Sequence, residues 1–154
     1  MPVAYTDPFG LTPDTLQYTS EDAKQAVDKI RQQDKRVDKT FEELDKSPNR
    51  YVVHFTTEWI ISRGVSFPSP GAQELPEYAA LFPGHKGIIV VNPDRSRHEG
   101  FAPGFIAFHE ATHLLGVERR GWSYGHTDCA FRTVVNVGID LKQPAETDVN
   151  PSCK

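Results

Sequence analysis

The sequence predicts an α+β domain in which a small twisted sheet packs on a central active-site helix, with a long N-terminal helix and a C-terminal helix around it. Three observations carry this. Residues 19–45 repeat apolar side chains (Ala23, Ala26, Val27, Ile30, Val37, Phe41, Leu44) at three- and four-residue spacing, the period of one helix face. Residues 51–56 and 87–91 are short runs of β-branched and aromatic residues bounded by turn formers, as strands are. Residues 106–116 form an apolar run interrupted only by His109, Glu110, Thr112 and His113, and end in glycine.

In order, Thr19 with Asp22 three residues on resembles a capping box for the long helix, and Ser47-Pro48-Asn49 stops it. His54, inside the first strand, reads as structural. Residues 57–64 fit a short helix or a second strand equally. Residues 66–71 hold two prolines and a glycine and read as loop, and 75–81 suit one helical turn after Pro76. Gly87 to Val91 is the clearest strand, expected near the sheet edge. Residues 94–100 look charged and irregular, and His85 and His98 fall in loops. Gly116 suits the C′ position of the central helix. Residues 129–137 read as a helix closed by Gly138, and from Lys142 the tail is polar and loose.

At 154 residues the chain can bury one sizeable core. A net charge of −4, with Lys and Arg dispersed, gives no basic surface for nucleic acid. No apolar run approaches the roughly 18 residues of a membrane span, and the N-terminus has no signal-peptide pattern. Two cysteines do not make a disulfide framework. Cys129 reads as a buried apolar residue of the last helix, and Cys153 as part of a disordered end.

The chemistry concentrates at His109-Glu110-Ala111-Thr112-His113. Residues i and i+4 of a helix lie on one face, so both imidazoles aim at one point, as tetrahedral Zn²⁺ requires. Glu110, one residue on from the first ligand, is placed to act as general base. A surface helix that happened to carry two histidines would not be apolar at nearly every other position.

A catalytic zinc takes three protein ligands and keeps one position open. The metzincin pattern would place the third ligand at position 119, which is Arg119 here, and Glu118 is too near the helix end. His126, in Gly125-His126 ahead of a helix containing Phe131, resembles the Gly-His of SprT-like metallopeptidases, which implies that His126 is the third ligand. Asp128 is the alternative. Tyr124-Gly125 resembles the Tyr-Gly of aspzincins, whose ligand is an aspartate. That aspartate precedes the Tyr-Gly, however, and the matching position here is Gly121. Whichever of His126 and Asp128 is not a ligand is a candidate to orient a histidine, and Asp128 alternatively caps the last helix. Tyr124 is a candidate donor to a tetrahedral oxyanion, or simply packs beside Trp122. The element order suits the zincin plan, in which an edge strand pairs with extended substrate.

Residues 2–11 are a proline- and glycine-punctuated tether. Pro2, Asp7, Pro8, Gly10 and Leu11 fill every fixed position of P-x-x-x-x-D-P-x-G-L, and so resemble the motif that closes the shell of Rhs/YD-repeat proteins. The resemblance covers these ten residues alone. It implies that residues 1–11 are the end of the shell and its cleavage tether, and that 12–154 are a toxin domain released there. It also implies secretion or delivery into a competing cell and a cognate immunity protein. The expected activity is that of a zinc metallopeptidase acting on a protein or peptide in the target-cell cytoplasm. The alternatives are a periplasmic amidase cutting peptidoglycan stem peptides and a non-catalytic zinc-containing binding domain.

Overall fold

The computed structural model describes residues 16–57, 71–73, 86–144 and 149–153. The motif at 2–11, the undecided segment from residue 58, the loop 66–70, the helical turn at 75–81 and His85 lie outside them. Among the described residues the order is β1 (Gln17–Tyr18), α1 (Glu21–Gln33), α2 (Lys35–Asp45), β2 (Tyr51–Phe55), β3 (Gly71–Gln73), β4 (Gly87–Val91), α3 (Pro93–His98), α4 (Pro103–Arg120) and α5 (Arg132–Asp140). The α+β class and the small sheet agree with the sequence.

The expected long helix is two. Asp34 leaves the helical region at φ −151°, and its carboxylate accepts from the Arg36 amide at 2.8 Å, so it closes α1 and caps α2. A short acidic side chain that bonds the backbone two residues on offers the chain an alternative to helix. The gap in the apolar stripe between Ile30 and Val37 marks this break. Ser20, not Thr19, caps α1 by accepting from the Ala23 amide, while Thr19 is tied to the sheet through Val53 and His54.

The sheet runs β1-β2-β4-β3, with β1, β2 and β4 mutually parallel and β3 antiparallel on β4. Tyr51 lies opposite Gly87, and Phe55 opposite Val91. β4 is thus an inner strand and not near the edge, because β3 covers its far side. All five of its residues are buried. An unbroken Gly-Ile-Ile-Val-Val run suits a strand covered on both faces.

α4 is the centre of the packing and touches α1, α2, β3 and β4. Phe105, Phe108, Ala111, Leu114 and Leu115 bury one side of it in the common core with Val27, Phe41, Leu44, Val53, Ile89 and Val91. Each large apolar side chain so buried stabilises the fold by about 1.5–3 kcal/mol relative to exposure. The helix does not stop at Gly116. It runs four residues further, to Arg120, and Gly121 ends it in the left-handed region at φ 81°. Residues 94–98, part of the stretch 94–100 expected to be irregular, belong to α3: Pro93 opens it and the Asn92 side chain caps it. The last helix begins as a 3-10 turn, Cys129–Phe131, and continues through a buried Gly138 to Asp140.

The tail is anchored where looseness was expected. Cys153 is buried and forms a disulfide with Cys129, and Val149 packs against the core. The two cysteines sit 24 residues apart with only α5 and the tail between them, so sequence spacing alone did not reveal that the tail folds back.

Candidate metal centre

One turn of α4 separates His109 from His113, and the segment beyond Gly121 returns His126 to the same point. One ring nitrogen from each lies within 4.8 Å of the others. The Nε2 atoms of His109 and His126 are 3.3 Å apart. Two nitrogen lone pairs that close repel unless a proton or a cation lies between them. The spacing is also the edge of a tetrahedron of Zn–N bonds near 2.0–2.1 Å, about 3.3 Å. The donor set, three imidazoles, suits zinc in both number and kind.

The return of His126 depends on Gly116. A Cβ there would overlap the Tyr124 amide nitrogen and lie 2.9 Å from the ring's Cγ. Lacking one, the glycine lets residues 123–124 lie flat on α4. The Tyr124 carbonyl then accepts from His113 Nδ1 at 2.5 Å. A carbonyl only accepts, so Nδ1 carries the proton and Nε2 keeps its lone pair for a metal. The contribution of Tyr124 to the site is therefore its backbone. Its hydroxyl, expected to face an oxyanion, accepts from Arg119 at 3.4 Å in a cavity of about 290 Å³ that also holds Arg36, Lys39, Thr40 and Glu43 and that no histidine lines.

Burial keeps His109 and His113 neutral. Desolvation, reinforced by His113 and His126, pushes the His109 imidazolium down to about 3. His113 is lowered too, chiefly by desolvation and against the opposing effect of the Tyr124 carbonyl. A neutral imidazole needs no proton removed before it binds a metal at pH 7. Phe131 closes the back of the cluster: it is fully buried, with ring centroids 5.0, 4.7 and 4.8 Å from those of His109, His113 and His126. The sequence showed Phe131 only as one apolar residue of the last helix.

Glu110 is 7% exposed, with an oxygen 3.9 Å from His109 Nε2. It therefore lies beside the point where the imidazoles converge. Asp128, the alternative ligand, does not join the cluster. Its Oδ2 accepts from the Gly125 amide at 2.6 Å and from Arg120 at 3.1 Å, and these two contacts, Arg120 foremost, hold its carboxyl below the usual range. It shapes the turn that presents His126. The Asp128 carbonyl, not its side chain, accepts from the Phe131 amide at the start of the last helix.

Glu118 and Arg119, the residues nearest the metzincin position, point elsewhere. Glu118 accepts from Ser47, Asn49 and Tyr51. Arg119 donates to both oxygens of Glu43 at 2.6 Å. No protein-family model matches the chain, and no curated protein or solved structure is detectably similar to it.

Proposed function

We propose that this chain is a zinc-dependent metallopeptidase of zincin-like arrangement, the toxin domain of an Rhs-type protein. The observation that carries the activity is the convergence of His109, His113 and His126 beside the carboxylate of Glu110. Zn²⁺ held by the three imidazoles would supply a Lewis acid that polarises a scissile carbonyl and acidifies water. Glu110 would take a proton from the attacking water as its oxygen bonds to the carbonyl carbon. It would then hand that proton to the departing amine as the C–N bond breaks. Its burial shields the carboxylate from bulk water, and Phe131 keeps water from the rear of the histidines. β3 is a sheet edge among the described residues and lies against α4, the position at which an extended peptide would add as a further strand. The tether at 2–11 supports the Rhs assignment and is independent of the site.

The Cys129–Cys153 disulfide favours a second reading of the substrate and its compartment. Disulfides persist in oxidising surroundings, which suits the periplasm better than the cytoplasm. An amidase cutting peptidoglycan stem peptides would use the same metal, the same general base and the periplasm.

The test is to express the chain in a bacterium with and without export to the periplasm, beside the Glu110→Gln variant, and to assay zinc in each protein. Toxicity of the parent that the variant lacks, with zinc in both, supports the hydrolase, and the compartment in which toxicity appears separates the two substrates. A toxic Glu110→Gln variant rules out hydrolysis as the mechanism.

A further inference from the structure

The segment 121–128 has no regular secondary structure, yet it delivers both His126 and the carbonyl that orients His113. Several of its attachments converge on one side chain, Arg120. The Arg120 guanidinium lies 3.5 Å from the centre of the Trp122 ring and 4.2 Å from that of Tyr124. Its Nη2 donates to the Ser123 carbonyl at 3.4 Å and to Asp128 Oδ2 at 3.1 Å. The same carboxylate oxygen accepts from the Gly125 amide, the residue before His126. The Asp128 amide in turn donates to the Gly125 carbonyl at 3.0 Å, so the turn holding His126 is closed at both ends.

Two further facts separate this arrangement from ordinary helix-end packing. Arg120 Nε is buried with no hydrogen-bond partner, and a buried donor left unsatisfied costs stability. An arginine ending a helix would avoid that cost by extending into water. Trp122 is 58% exposed, so it contributes little to the core. Its ring covers the guanidinium instead.

We propose that Arg120 is the positioning residue of the metal centre: stacked on Trp122 and Tyr124 and bound to Asp128, it locks the loop that presents His126 and turns the Tyr124 carbonyl onto His113. This rests on the three histidines being zinc ligands. Arg120 touches neither metal nor substrate and acts through the loop. Lysine does not replace it, because an ammonium has no plane to lie between the Trp122 and Tyr124 rings.

The experiment measures zinc affinity of the whole chain by competition with a chromophoric chelator, beside thermal melting of the metal-free protein. Arg120→Ala is expected to weaken zinc binding roughly 10–100-fold, the usual effect of losing a group that orients a ligand. Arg120→Lys does not restore it. Asp128→Ala weakens binding in the same direction, and the double variant loses less than the product of the two single losses, since both act on one loop. With Co²⁺ in place of zinc, the visible absorption of Arg120→Ala departs from the parent's. Arg31→Ala, which breaks ion pairs to Asp38 and Asp45, lowers the melting temperature and leaves zinc affinity unchanged, so lost stability alone is told apart from lost positioning. Should Arg120→Ala fail to fold, the exposed Trp122→Ala decides: weaker zinc binding supports the role, unchanged binding overturns it. Parent-like affinity in Arg120→Ala also overturns it. A parent chain that binds no zinc removes the metal reading itself, and this inference with it.

Discussion

Replacing Gly116 by alanine sets two effects of opposite sign against each other. In an exposed helix interior the change would stabilise by roughly 0.8–1 kcal/mol. Here the new methyl meets the Tyr124 backbone nitrogen, the Ser123 carbonyl carbon at 3.0 Å and the Tyr124 Cγ at 2.9 Å. Overpacking typically costs 1–3 kcal/mol, and backbone cannot rotate aside as a flexible side chain can, so the upper end applies. The net expectation is a loss of about 2 kcal/mol. For a chain of this size that lowers the melting temperature by roughly 4–8 °C. The displaced segment also draws the Tyr124 carbonyl off His113, so zinc affinity falls roughly tenfold. Thermal melts followed by circular dichroism in chelator, with zinc competition beside them, measure both. A Gly116→Ala protein as stable as the parent would refute the close approach of residues 123–124 to α4, and with it the account of how His113 is oriented.

Cys153→Ser opens a loop closed across a separation of 24 residues, and the chain-entropy relation gives a loss of about 3.5 kcal/mol, read as a lower denaturant midpoint that reductant reproduces in the parent and leaves unchanged in the variant. Glu118→Ala leaves donors from Ser47, Asn49 and Tyr51 without their acceptor, and urea unfolding is expected to show a loss of about 2–3 kcal/mol with zinc content intact. Burial alone would raise the Glu118 carboxyl, but those three hydrogen bonds outweigh it and hold it low, so its contribution is present at neutral pH and is lost on acidification below the ordinary glutamate range. The metal-free protein should lose stability as pH falls below 6.5. The folded state keeps His109 and His113 neutral while the unfolded chain takes up protons; for His109 the slope approaches about 1.4 kcal/mol per pH unit and ends near pH 3, and His113 acts in the same direction. Melting temperatures that stay flat from pH 7 to 5 would contradict the burial of these rings.

By itself the sequence determined the central helix, the two imidazoles on one face of it, the adjacent Glu110 and the α+β class. All of these follow from spacing within one element: i and i+4 share a helix face wherever the helix goes, and an apolar run buries itself. His126 was legible only as one of two candidates, because its position depends on a turn whose shape is set by Asp128, Arg120 and Gly125 together. Tertiary structure alone decided the rest. The role of Gly116 as a landing place for Tyr124, of Phe131 behind three rings, of Glu118 and Arg119 as ties to the α2–β2 turn and to α2, and the disulfide of Cys129 with Cys153 all depend on which distant segment arrives at each surface. The inner position of β4 was settled by β3, a three-residue strand too short to carry a period of its own. Local periodicity reports which side of an element is apolar, whereas the partner that covers it is chosen by the fold as a whole.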